Sequence, residues 1–480
     1  MMVEQRFADG IATTGRSAPV SRRRVLASAA GLALGAPAVA RLASSARATP
    51  ALARQATPLA APAASPAAPV PVGAQAQAVE AIAYSDVAGR GGAFKTAIQE
   101  VEGRWLLYLG HLWHRGWSIM DVTDPRRPEV VNFIDGPANT WTIQMEVNAG
   151  KMITALEQMP ESWGGNPNAP FEEGILIWDL ADDPVTPQLL GQFRTGGTGT
   201  HRNFYAGGPL MHLAAGMPGY SGEIYVAVDI SDPATPVEAG RWWVPGQHEA
   251  GGETPEEGVS LHGPPYVVGT QAFLPYGAAG LVILDIADVS RPQLVGQLDF
   301  SPPFNPNIGA HSALPWPERN LCLVCSEAIQ NTCQEPLNHA SVVDVTDRTA
   351  PVLRAIFPVP EPPPGAPDHD FCDKGGRFGP HNFHQNYHSL HTDHATTLTY
   401  LTYFNAGLRI YDLQDPEVPR EVGWFLPPEP AQRFGPVPAD KLVLQSEDVL
   451  VDARGYIYLT NKNQGLWILR YTGPAGSAGM

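Results

Sequence analysis

Gly280-Leu281-Val282-Ile283-Leu284-Asp285 is the stretch that decides the fold, because the chain repeats it. Gly174-Ile175-Leu176-Ile177-Trp178-Asp179 and Gly407-Leu408-Arg409-Ile410-Tyr411-Asp412 match it. Looser copies end in Asp121, Asp229 and Asp344. A seventh, Gly465-Leu466-Trp467-Ile468-Leu469, carries Arg470 where the others carry Asp. The closing positions lie 58, 50, 56, 59, 68 and 58 residues apart. A recurring period means that one small supersecondary unit is copied along the chain. Within a unit, a short apolar run closed by Asp reads as a strand entering a turn. Asp-Pro follows at 124–125, 183–184, 232–233 and 415–416, and a further Pro at 128, 187, 236, 292, 351 and 419 opens another strand. Asp accepts backbone N–H groups in turns and Pro presets φ, so these Asp residues are turn makers rather than catalysts.

The pattern resembles the LVIVD-repeat family, and the resemblance covers nearly all of residues 80–473. It implies an all-β fold, a seven-bladed β-propeller of four-stranded antiparallel blades at roughly 56 residues each. The abundance of Gly (48) and Pro (48) suits many short strands joined by turns. The last repeat stops at Tyr471 without a Pro-led strand, and Ala81-Ile82-Ala83-Tyr84 can supply it. An N-terminal strand completing the last blade would leave no open edge. The alternative is an open or six-bladed array capped by its terminal unit.

Residues 1–48 read as a targeting segment. Arg22-Arg23-Arg24 precedes a mildly apolar Ala/Gly run, and Ala46-Arg47-Ala48 offers a cleavage site. The paired arginines resemble a twin-arginine (Tat) signal, implying the Tat export machinery and a periplasmic or extracellular destination. The apolar run is too short for a transmembrane span, so no such segment is expected in the mature chain. Residues 49–79 are Ala/Pro-rich and read as a disordered linker; residues 474–480 form a C-terminal tail. Residues 1–79 hold eight Arg against one Asp and one Glu, whereas the remainder holds 23 Lys and Arg against 46 Asp and Glu. An acidic body of this kind repels phosphate backbones, which disfavours nucleic acid as a partner.

The first residues of each innermost propeller strand gather near the axis. Gly199-Thr200-His201, Ser260-Leu261-His262, Gly309-Ala310-His311 and Gly379-Pro380-His381 stand there, 28, 23, 33 and 31 residues before the Asp of their units. His384 is an alternate for His381, and the seventh unit offers Glu447 and Asp448. Earlier units offer Trp141 and Lys95 or Thr96. Neutral imidazole is a common ligand of transition metals, so His201, His262, His311 and His381 are expected to hold one metal ion, iron or copper ahead of zinc. The constellation is architecturally similar to the four-histidine iron site of carotenoid cleavage oxygenases. That similarity implies supporting glutamates, for which Glu157, Glu327 and Glu447 are the candidates. The carotenoid enzymes' sequence motifs are absent, so their substrate and reaction do not carry over.

Arg202, Asn203 and His248 are candidates for binding a small-molecule substrate, the first two as donors to an anion. Trp242, Trp243 and Trp316 are candidates for lining a mouth. Cys322 and Cys325 lie within an apolar strand and face opposite sides, which suits core packing better than a metal site. Cys333 and Cys372 fall in polar loops and are the expected disulfide of an exported protein. No G-x-S-x-G elbow, phosphate loop or H-E-x-x-H occurs. Two readings remain: an exported metal-dependent oxidoreductase or oxygenase acting on a small organic molecule, and a non-catalytic scaffold that binds a protein, glycan or small ligand.

Overall fold

The computed structural model describes residues 70–474 except 253, 256, 302, 386–388 and 395–396. The targeting segment and most of the linker thus lie outside the described residues. The described chain is all-β, with one short α-helix, Phe371–Lys374. Its antiparallel strands form five four-stranded sheets and one nine-stranded sheet. Within the nine-stranded sheet, Gly199–Phe204 begins a set of four consecutive strands that joins the preceding set through Gly199 and Glu157 alone.

The repeated strand shows why its sequence is apolar throughout. Leu281 and Ile283 pack on one face, with Cys322, Val324 and Val343 of the following sheet. Val282 and Leu284 pack on the other, with Ala214, Tyr225 and Ala227 of the preceding sheet. A strand buried on both faces loses polar alternation, and only the terminal Asp285 is exposed. The same arrangement recurs around the chain. Leu408 and Ile410 share a cluster with Leu459, Trp467 and Leu469. Leu466 and Ile468 share the next with Leu107, Leu109 and Met120, joining the last sheet to the first.

The Asp residues occupy the turns. Oδ1 of Asp121, Asp229, Asp285, Asp344 and Asp412 each accepts the N–H two residues on, at 2.8–3.0 Å. Val79–Ser85 pairs with Gly465–Tyr471 as the fourth strand of the last sheet. Gln75–Gln77, assigned to the linker by composition, adds an outer strand to Arg420–Leu426. Backbone pairing to that strand, which needs no apolar side chain, brings the start of the fold ahead of residue 80. No helix among the described residues is long and apolar enough to cross a membrane.

Candidate metal centre

Departures from regular pairing build the site. The first strands of four sheets each shift register where the polar residues stand, between Ala93 and Thr96, Thr200 and Arg202, Ile308 and Ser312, and Ser446 and Val449. An irregularity of this kind breaks strict alternation, so that neighbouring side chains are no longer sent to opposite faces. His201 and Arg202 both reach other imidazoles, while Glu447 and Asp448 face Lys462 and Lys95. His262 sits on irregular chain just ahead of Tyr266–Val268, and His381 on irregular chain that runs beside Leu398–Thr402, its N–H donating to the Thr402 carbonyl.

The four imidazoles form a row. Ring centroids are 4.4 Å apart for His201 and His262, 5.5 Å for His262 and His311, and 4.6 Å for His311 and His381. Beside the row lies the Glu327 carboxylate, at the end of Leu321–Glu327. Its Oε2 is 3.1 Å from His262 Nε2 and 3.6 Å from His311 Nε2, and its Oε1 is 3.8 Å from His381 Nε2. His262, His311 and Glu327 bring one donor atom each within 4.8 Å of one another. Glu327, expected behind the histidines, therefore stands among their Nε2 atoms as a donor in its own right.

Hydrogen bonds fix the tautomers. His311 Nδ1 is 2.9 Å from the His381 carbonyl, and His381 Nδ1 is 2.7 Å from the Glu447 carbonyl. A carbonyl only accepts, so each Nδ1 donates and each neutral ring turns an Nε2 lone pair toward Glu327. Burial lowers both rings well below the usual histidine pKa, which keeps them neutral. Burial alone would raise Glu327, yet it is held well below the carboxylate range; with His311 and His381 neutral, the hydrogen bond from His262 is the cause that remains. Arg377 pairs with its Oε1 at 2.9 Å. Two Nε2 acceptors thus lie within 4 Å of one carboxylate.

A cation already touches this set. Arg202 places a guanidinium N–H 2.9 Å from His311 Nε2. At the end of the row, His201 Nδ1 is 2.7 Å from Glu157 Oε2, and its buried Nε2 has no hydrogen-bond partner. Burial pushes Glu157 up to about 8, so at neutral pH its carboxyl is protonated and donates to His201. Glu447 lies 2.9 Å from Lys462 Nζ, and burial raises its carboxyl above the ordinary range.

The other sequence candidates are placed elsewhere. His384 lies 3.1 Å from the Asp393 carbonyl through Nε2 and accepts the Val451 N–H at Nδ1. Asn203 donates to the Ile153 carbonyl. His248 packs on Tyr220 and Trp243, Trp242 on Tyr276, and Trp316 beneath Arg319. The aromatic cover of the row is instead Trp141, beside His201, with Trp163 against it and Trp113 stacked on Trp163. Trp163 also lies over Lys462 and Arg377. Sequence reading missed Arg377, Lys462 and Trp163: Lys462 stands in the turn before Gly465, and Arg377 and Trp163 lie in irregular segments between strands that carry no motif.

Cys333 and Cys372 form a disulfide that ties the Asn331–Thr332 segment to the one carrying Arg377. Cys322 and Cys325 are free and buried in separate apolar clusters.

Fold and site together define an all-β repeat protein with a buried histidine and carboxylate centre. More particularly, residues 222–243 and 267–299 match the LVIVD repeat family model. No curated protein matches the chain in sequence. Among solved structures, a hypothetical selenium-binding protein from Sulfolobus tokodaii is 12% identical, with TM-score 0.47, over 73% of this chain and 80% of its own. The periplasmic gluconolactonase PpgL of Pseudomonas aeruginosa is 10% identical, with TM-score 0.46, over 74% of this chain and 96% of its own. Likeness at this level transfers no chemistry.

Proposed function

We propose that the chain is an exported, closed seven-bladed propeller whose axial centre binds one transition metal ion and serves an oxidoreductase or oxygenase. The closed ring is supported by the apolar clusters linking consecutive sheets and by the pairing of Val79–Ser85 with Gly465–Tyr471. Export is supported by the disulfide, which persists in oxidising compartments.

One observation carries the metal reading. His311 and His381 spend their Nδ1 protons on backbone carbonyls, which leaves two Nε2 acceptors 3.6 and 3.8 Å from the Glu327 carboxylate, the first of them met by Arg202. Acceptors facing acceptors is a costly arrangement that a cation relieves. His262, His311 and Glu327 would hold the ion, with His381 adjacent; two imidazoles and a carboxylate form a donor set suited to non-haem iron. Iron there supplies redox and oxygen chemistry to an organic molecule. The residues' own work is to orient the donors: the carbonyls of His381 and Glu447 fix the rings, and Arg377 fixes Glu327. The His262 side chain, 23% exposed, opens the set to solvent.

A second reading, a non-catalytic binding propeller, is favoured by Arg202, which already supplies a cation to His311 Nε2. Elemental analysis of protein purified after native export separates the two. The expected result is about one equivalent of iron or copper in the parent and almost none in a folded His262→Ala/His311→Ala variant. No stoichiometric metal in the parent, even after metal-supplemented expression, leaves the binding propeller.

A further inference from the structure

Arg202 is 4% exposed, yet no carboxylate among the described residues forms an ion pair with it. Its contacts are His311 Nε2 at 2.9 Å and the Phe94 ring at 5.3 Å, and its buried Nε–H has no acceptor. The adjacent His201 Nε2 is likewise buried without a partner. The neighbouring cations are matched differently: Arg377 pairs with Glu327, Lys462 with Glu447, and Lys95 with Asp448 at 3.9 Å. A desolvated guanidinium whose nearest carboxylates, Glu327 and Asp448 first among them, lie beyond ion-pair distance keeps a costly unmet donor unless an anion completes it.

We propose that Arg202 is the receptor for a small carboxylate ligand, and that carboxylate binding draws its guanidinium off His311 Nε2. A carboxylate matches the guanidinium fork with two parallel hydrogen bonds, one of them from the orphaned Nε–H. The N–H to a neutral imidazole is the weaker contact and is exchanged for them. His311 Nε2 is then left with a free lone pair beside His262 and Glu327. This second part rests on the metal reading above. It makes the carboxylate and the metal mutually reinforcing, since each favours the state in which Arg202 has left His311, and the coupling is reciprocal.

The test has two arms. In the first, metal-free parent protein, Arg202→Met and Arg202→Lys are melted with increasing acetate or benzoate, against chloride at matched ionic strength. The parent is expected to gain several degrees in Tm with carboxylate over chloride, Arg202→Met none, and Arg202→Lys a reduced gain. Arg202→Met removes a buried charge whose N–H groups are only partly met; it is expected to fold, and its own melt without ligand is the reference for its response. Equal responses in parent and Arg202→Met, or none in the parent, overturn the carboxylate site. In the second arm, Co²⁺ is titrated by its visible absorption with and without the carboxylate. An affinity gain of at least about tenfold is expected in the parent and none in Arg202→Met, which should bind Co²⁺ tightly without carboxylate. Carboxylate binding in the first arm with no Co²⁺ binding by any variant keeps the anion site and sinks the metal reading. Co²⁺ affinity in the parent independent of carboxylate overturns the coupling.

Discussion

The repeated strands and the first strands of the sheets are built to opposite rules. Leu281–Asp285 is apolar on both faces, ends in a turn-capping Asp and keeps its pattern in sheet after sheet. Ala93–Val101, Gly199–Phe204, Ile308–Trp316 and Ser446–Val451 break register and bury Lys95, His201, Arg202, His311, Glu447 and Asp448. Copying suits the first kind, because each sheet presents the same surface to its neighbours. The second kind must differ from sheet to sheet, because a site needs distinct groups converging from several sides. Stability therefore resides in what repeats, and chemistry in what does not.

The sharpest way to break the comparison is to open the repeat itself. Deleting residues 70–85 removes Val79–Ser85 and bares the edge of Gly465–Tyr471. Val79 and Ile82 are each 9% exposed, and their loss alone costs about 3–6 kcal/mol at roughly 1.5–3 kcal/mol per buried side chain. The truncated chain is expected to unfold or aggregate at temperatures where the parent is folded, read by circular dichroism melts. A melt within about 2 °C of the parent would mean that the strand is dispensable and the ring reading wrong.

Ion pairs show the same contrast at smaller scale. Glu327 and Arg377 are paired deep in the centre, whereas Asp344 and Arg354 are paired near the surface at the end of a repeated strand. Glu327→Ala strands Arg377 and should cost about 3–5 kcal/mol in urea unfolding. Arg354→Ala should leave the urea midpoint essentially unchanged, because an exposed pair gains little over hydration. Comparable costs for the two would erase the distinction between centre and rim.

Glu157 gives the centre a pH signature. Its folded pKa, about 8, is raised above the ordinary 4.5, so the native state holds a proton that the unfolded chain releases. The contribution is present below about pH 4.5 and is lost as pH rises toward 8. Metal-free parent should therefore lose stability relative to Glu157→Gln between pH 5 and 8, by at most about 5 kcal/mol. Parallel stability curves for the two proteins would show that Glu157 is ionised when buried.

The repeat was legible in sequence because a strand buried on both faces must be apolar and its turn must be capped, both local requirements. The histidine register was legible for a related reason: His201, His262, His311 and His381 stand at corresponding points of consecutive units. The place of Glu327 was not, since nothing local says that a strand end will be surrounded by three imidazoles. Arg202 was read as a donor to an anion, but its contact with His311 spans 109 residues and depends on how two sheets face each other. Trp242, Trp243 and Trp316 looked like a mouth because aromatic residues line mouths and fill crevices between sheets alike.

The smallest effect lies in the turns, and its smallness is the point. Asp285 is exposed, and its Oδ1 accepts the Ala287 N–H at 2.9 Å. Asp285→Ala removes one solvent-accessible hydrogen bond, worth about 0.5–1.5 kcal/mol. The equivalent bonds of Asp121, Asp229, Asp344 and Asp412 are separated by whole sheets and share no partners, so their losses should add. The fivefold Ala variant is then expected to lose several times what Asp285→Ala loses, with Co²⁺ and carboxylate binding unchanged while it remains folded. Loss far below that sum would show that the turns are set by their Pro residues and strand ends, with Asp only solubilising the rim. Loss of binding at full folding would tie these rim carboxylates to the centre, against the division of labour between copied and uncopied strands.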